Sequence, residues 1–150
     1  MIIAIVVALI SVAVAIGAWF RPAPKPEAPA AKTYSEQEAT DAKKAVCDAF
    51  DIVHNAVRIN TGRNGGTDAT TTLAVAANAR LSLYGGGGYL QDVLGANPAT
   101  PKDLAGPIGQ LANVYRKLAL GYLADVSDAD LEPSLTLADS STVAVKSACQ

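Results

Sequence analysis

Histidine, tryptophan and methionine each occur once in this chain, and cysteine and phenylalanine twice. A single histidine, His54, excludes multi-histidine metal centres and leaves one position from which a Ser/His/Asp or Cys/His site could draw its base. Asp51 and Arg58 are its near neighbours, and no local nucleophile motif accompanies it. Aromatic residues make up 5% of the chain, so a core must be built from Ala, Leu and Val. A basic excess is missing too. With Arg21, Lys25, Lys32 and Glu27 set aside, 9 basic side chains stand against 13 acidic ones. A phosphate-binding surface needs the opposite balance, so no nucleic acid partner is expected. No segment sustains the two-residue alternation of a strand, which argues against a sheet.

Charge is absent from residues 2–20. As a helix this stretch spans roughly 28 Å, close to the ~30 Å hydrocarbon core of a bilayer. Trp19 and Phe20 stand where aromatic rings favour the interface, and Arg21 can reach the headgroups. A cleaved signal peptide would want a basic leader, which is lacking, and the small-x-small triplet Ala28-Pro29-Ala30 lies far past the apolar run. The stretch is therefore expected to be an uncleaved single-pass transmembrane helix, with the lipid bilayer as its partner. Ala4, Ala8, Ser11, Ala15 and Ala18 share one face of it; in so Ala-rich a chain that row reads as composition. Residues 21–32, RPAPKPEAPAAK, follow. Proline fixes φ and removes the N–H, so this segment is expected to form an extended spacer reaching about 37 Å.

Residues 33–150 read as a soluble α-helical domain, an up-down four-helix-bundle-like fold. Ser35 and Glu38 form a capping-box pattern, and Ala42, Val46, Ala49, Phe50, Val53 and Val57 then recur with a helical period. Gly62 is a plausible stop. The loop from Thr61 to Thr67 looks like a phosphate cradle, but it has neither the preceding strand nor the following Lys-Ser/Thr of a P-loop. A second helix is expected from about 69 to 95, capped by Asp68. Its centre is four consecutive glycines, Gly85, Gly86, Gly87 and Gly88, yet Leu73, Ala76, Arg80, Leu83, Gly87, Leu90 and Leu94 hold helical phase through them. The glycines are read as allowing a neighbouring helix to approach, Gly86 and Gly87 foremost. A break there would instead make the tract a hinge or a ligand pocket. In a ligand-binding bundle the tract would line a cleft with Tyr84, Tyr89, Tyr115 and Tyr122, although aromatic residues on helical stripes read first as core. Thr100 and Pro101 read as N-cap and first position of a third helix, with a kink or restart expected at Pro107. The fourth helix begins near 127–131, tolerates Pro133, and carries the stripe Leu131, Leu135, Ala138, Thr142, Val145 and Cys149.

Cys47 and Cys149 lie on or beside the stripes of the first and fourth helices, which are antiparallel neighbours in an up-down bundle. A disulfide is the expected use. The rival is a metal corner of Cys47, Asp51, His54 and Cys149, although this spacing matches no strong zinc signature. The charges of Arg21, Lys25 and Lys32 would place the domain in the cytoplasm. A persistent disulfide places it outside, and this is the orientation expected here. Glu132 and the aspartates at 125–130 surround a helix start, where acids favour the dipole. No constellation points to catalysis, so neither an enzyme nor a cofactor is expected.

The segments AVCDAFDIVHNAV and VAANARLSLYGGGGYL, with the carboxy-terminal cysteine, resemble the alanine- and proline-rich single-pass membrane proteins of mycobacteria and related actinobacteria. The likeness spans the anchor, the stalk and most of the domain. Its most specific parts are Cys47, Asn78-Ala79-Arg80-Leu81, the glycine tract and Cys149. The short N-terminus departs from members of that group with a longer cytoplasmic head. The resemblance implies a cell-envelope protein with its domain outside the plasma membrane, and it implies no activity. The expected function is a membrane-anchored structural or protein-interaction module that meets an envelope protein. The alternative is a helical bundle that binds a small molecule or lipid at the membrane surface.

Overall fold

Four α-helices account for most of the residues that the computed structural model describes, 32–150. They are α1 (Glu36–Thr61), α2 (Ala69–Ala96), α3 (Lys102–Leu123) and α4 (Asp128–Cys149), and no strand occurs among the described residues. All four belong to one unit, Tyr34–Gln150. The expected membrane helix and nearly all of the stalk lie outside the described residues; within them, no helix is long and apolar enough to cross a bilayer.

Each helix start has a local cause. At α1 the Ser35 hydroxyl accepts from the Glu38 N–H at 3.2 Å, and Glu38 Oε2 accepts from the Ser35 N–H at 2.7 Å. The Ser35 N–H, together with the Ser35 hydroxyl donating to the same oxygen at 2.8 Å, holds the Glu38 carboxyl below its ordinary pKa. α1 buries Ala42, Val46, Ala49, Phe50, Val53 and Val57, the six residues of its sequence stripe. Asp68 caps α2 by accepting from the Thr71 N–H at 2.6 Å. In the preceding loop Asn64 Oδ1 accepts from the Gly66 N–H, and Gly66 takes φ 65°, a turn rather than a cradle. Ser127 caps α4 by accepting from the Asp130 N–H.

α3 starts one residue later than its capping pattern predicts. The Thr100 hydroxyl donates to the Asn97 carbonyl at 2.6 Å, so Pro101 takes the cap position without a side-chain bond. α3 then runs unbroken through Pro107, and α4 does the same through Pro133, so the expected restart does not occur. Each proline deprives a single carbonyl, that of Asp103 or Ala129, of its helical donor. Both are exposed residues of a first turn, where water can substitute. α3 ends with Asp125 at φ 54° and the Val126 N–H returning to the Gly121 carbonyl at 3.0 Å, a Schellman-type closure.

α3 is the central element. Leu104, Ile108, Leu111, Ala112 and Ala119 are 0% exposed. α3 packs on both α2 and α4, and α2 packs on α1; α1 and α4 meet only sparsely. α4 is therefore turned toward α3 rather than centred between α3 and α1. It buries Leu131, Ser134, Ala138, Ser141 and Val145, while Leu135, Thr142 and Cys149 of the expected stripe are half-buried. The Ser141 hydroxyl donates to Gln110 Oε1 at 3.2 Å, which satisfies one of the buried serines.

α2 is continuous through its glycines because two of them sit against neighbours. A Cβ at Gly86 would lie 2.7 Å from Val53 Cγ1 on α1. A Cβ at Gly87 would lie 2.6 Å from the Ala112 carbonyl oxygen and 2.7 Å from Arg116 Cγ on α3. Added Cβ atoms at Gly85 and Gly88 would meet nothing within 4 Å. Alanine substitution should therefore split the tract. Gly87→Ala is expected to lower the melting temperature most, because a backbone carbonyl blocks it, and Gly86→Ala to lower it less. Gly85→Ala and Gly88→Ala should raise stability by up to about 1 kcal/mol each through helix propensity. Thermal melts of the four variants check this ordering.

Candidate functional site

Cys47 and Cys149 are joined by a disulfide with their Cα atoms 5.8 Å apart, so α1 and α4 are linked where the chain ends. Both sulfurs are consumed by that bond, which removes them as thiolate ligands. Among the described residues, no cluster of three or more His, Cys, Asp or Glu side chains is placed to hold a metal ion.

The four tyrosines do not gather around the glycine tract. Tyr84 and Tyr89 are exposed at 45% and 46%. Tyr84 lies under the Arg116 guanidinium, 5.3 Å from ring centroid to Cζ, and Arg116 Nη1 donates to Gln91 Oε1 at 2.6 Å. Gln91 Nε2 in turn donates to Asn113 Oδ1 at 2.6 Å. This chain of contacts fixes the antiparallel register of α2 and α3. The space at Gly86 and Gly87 is filled by Val53, Ala112 and Arg116, so no cleft forms there.

Tyr115 and Tyr122 instead face the sparse seam between α1 and α4. There a cleft of about 300 Å³ is walled by Val57, Arg58 and Thr61 of α1 and by Leu135, Ala138, Asp139 and Thr142 of α4. Its floor includes Leu83, Tyr115, Leu118 and Tyr122. Burial raises the Tyr115 phenol pKa; the Thr142 hydroxyl opposes this and the Asp139 carboxylate adds to it. His54, also on the cleft, stacks on Phe50 with ring centroids 5.3 Å apart. Burial lowers its pKa, helped by Lys146 and Arg58 and opposed by Asp51. The surroundings of His54 therefore favour the neutral imidazole.

A second feature was not read from the sequence. Leu73 and Leu81 on α2 are 68% exposed, and Leu120 and Leu123 on α3 are 54% and 64% exposed. Val126 extends the group at 38%. They lie toward the end of the unit formed by the α1–α2 and α3–α4 turns, away from where α1 begins. The signal was present, because Leu73 lies in an uncharged stretch from 69 to 79, but phase alone assigned it to the core. Comparison with family models, with curated proteins and with solved structures finds no match to this chain.

Two measurements follow from this geometry. Reduction, or Cys149→Ser, should lower stability by a few kcal/mol, since the bond closes a loop with a sequence separation of 102 residues. Amide exchange should then rise first in the last turns of α4; unchanged exchange there would contradict the clamp. The His54 imidazole should titrate below its ordinary 6.5 by NMR. The unfolded chain then binds this proton more tightly than the fold does. Its stabilising share is therefore present above pH 6.5, is lost as pH falls through the window below 6.5, and is constant again below the folded pKa.

Proposed function

We propose that this protein is an interaction module of the cell envelope, anchored by residues 2–20 and carrying its helical domain outside the plasma membrane. The observation that carries the reading is the set of exposed leucines on α2 and α3, outside a contiguous buried core. Among the described residues no buried side-chain polar atom lacks a hydrogen-bond partner, so no buried side chain is left waiting for a ligand. Exposed apolar side chains grouped on adjacent helices mark a surface that another protein covers. The Cys47–Cys149 bond supports the outer location, because such bonds persist in oxidising compartments. The resemblance to actinobacterial alanine- and proline-rich membrane proteins agrees with this placement.

A second reading rests on the α1–α4 cleft, whose apolar floor and polar mouth suit a small amphipathic ligand. Titration with decanoate below its micelle concentration would shift the Tyr115 and Tyr122 ring resonances in that case; unmoved rings would dismiss it.

Two tests bear on the main reading. A reporter active only outside the cytoplasm, fused after Gln150, is expected to be active; an expressed but silent fusion would overturn the orientation. The full chain, cross-linked in intact cells and purified from membranes, is expected to bring a protein neighbour that Leu120→Glu with Leu123→Glu releases. A chain recovered with lipid alone would overturn the interaction role.

A further inference from the structure

α2 carries two stripes. The inner one, Leu83, Gly87 and Leu90, is buried against α1 and α3. The outer one runs Thr70, Leu73, Ala77, Leu81 and Tyr84, at spacings of three and four residues that keep it on one face. All five residues are exposed, and none is charged. Between Asp68 and Asp92 the only charged residue is Arg80. The exposed face of α1, by contrast, carries Lys44, Asp48, Asp51 and Arg58. The uncharged outer stripe of α2, with its two leucines and a tyrosine, is the kind of exposed apolar surface that a partner covers.

The outer stripe is complementary to itself. Its side-chain sizes pair about Ala77: a second α2 crossing antiparallel at that residue sets Leu73 against Leu81, and the short Thr70 against the large ring of Tyr84. Ala77 meets its own copy at the two-fold axis, where a small side chain allows close approach. The charges at the two ends are opposite as well. Asp68 caps the first end, and Asp125 in the α3–α4 turn and Asp128 at the start of α4 lie at the same end of the unit, where they outnumber Arg63 of the α1–α2 turn. At the other end Arg116 lies over Tyr84, with Lys117 beside it in sequence. A two-fold contact lays the acidic end of one copy toward the basic end of the other. We infer that two copies of this chain pair through the outer face of α2, antiparallel and centred on Ala77. The inference rests on the interaction reading above and names its partner as a second copy. A spacer with a reach of about 37 Å, as expected for residues 21–32, leaves two copies in one membrane free to lie side by side in this sense.

Photo-crosslinking of the full chain in its own membranes tests it. Benzoylphenylalanine replaces Leu81 in one variant and Val143 in another; both positions are 68% exposed, the second on α4. The expected result is an adduct of two chains from position 81, mapped to the peptide around Leu73 of the second copy. It should be absent from position 143 and fall at least tenfold when Leu73→Glu is added. Leu73 is exposed, and an intact Cys47–Cys149 link in the Leu73→Glu variant reports that it has folded. An adduct with a different protein overturns the second copy and leaves the interaction reading standing. Equal adducts at both positions, or none at position 81, overturn the pairing itself.

Discussion

Gly86 and Gly87 set how closely α2 approaches its two neighbours, and the rest of the arrangement follows from that approach. With no side chain at Gly86, Val53 of α1 sits directly on the α2 backbone, and with none at Gly87 the α3 backbone at Ala112 does the same. α2 is thereby held between α1 and α3 with its inner face consumed. α3 in turn buries residues from Leu104 to Ala119 against both α2 and α4. The helix-propensity cost of four glycines, on the order of 1 kcal/mol each, is opposed by this close packing at only two of them.

The same sequence of contacts leaves the fourth seam poorly filled. α4 is turned toward α3 by its buried Ser134 and Ser141, so α1 and α4 do not close on each other along their length. The covalent bond takes the place of packing there. It joins α1 to α4 at Cys47 and Cys149, and farther along the seam the walls of the cleft stand apart over Tyr115 and Tyr122. The unit thus has one end fixed by a bond and another bearing exposed leucines. That asymmetry is what gives the functional reading a direction.

Helix positions were legible because capping chemistry is local: Ser35 with Glu38, Asp68 and Ser127 each do in the structure what their side chains can do within a few residues. The α1 stripe was legible because its amphipathic period is undiluted. The cysteine pair followed from antiparallel geometry alone. What was not legible depended on rotation about a helix axis. On α4 an Ala- and Ser-rich sequence gives two nearly equivalent faces, so Leu135 and Thr142 looked like core while Ser134 and Ser141 took that place. On α2 neither face is marked by charge, and periodicity cannot say which of Leu73 and Leu83 is covered. The tyrosine cleft failed for a related reason. Tyr84 and Tyr89 flank the glycines in sequence, but at about a hundred degrees per residue they point away from the face that packs.

The placement of the disulfide also determines how the domain behaves under tension. A pull applied at Tyr34, where the unit begins, acts first on α1. Residues ahead of Cys47 can peel away turn by turn, since only packing and backbone bonds retain them. At Cys47 that peeling stops, because the residue is covalently joined to Cys149, the last helical residue. Everything between the two cysteines, which includes most of α1 and all of α2 and α3, lies inside the closed loop, so a load applied to α2 or α3 is divided between two covalent arms. Tension therefore shortens α1 from its free end only as far as Cys47 before it meets a covalently closed loop.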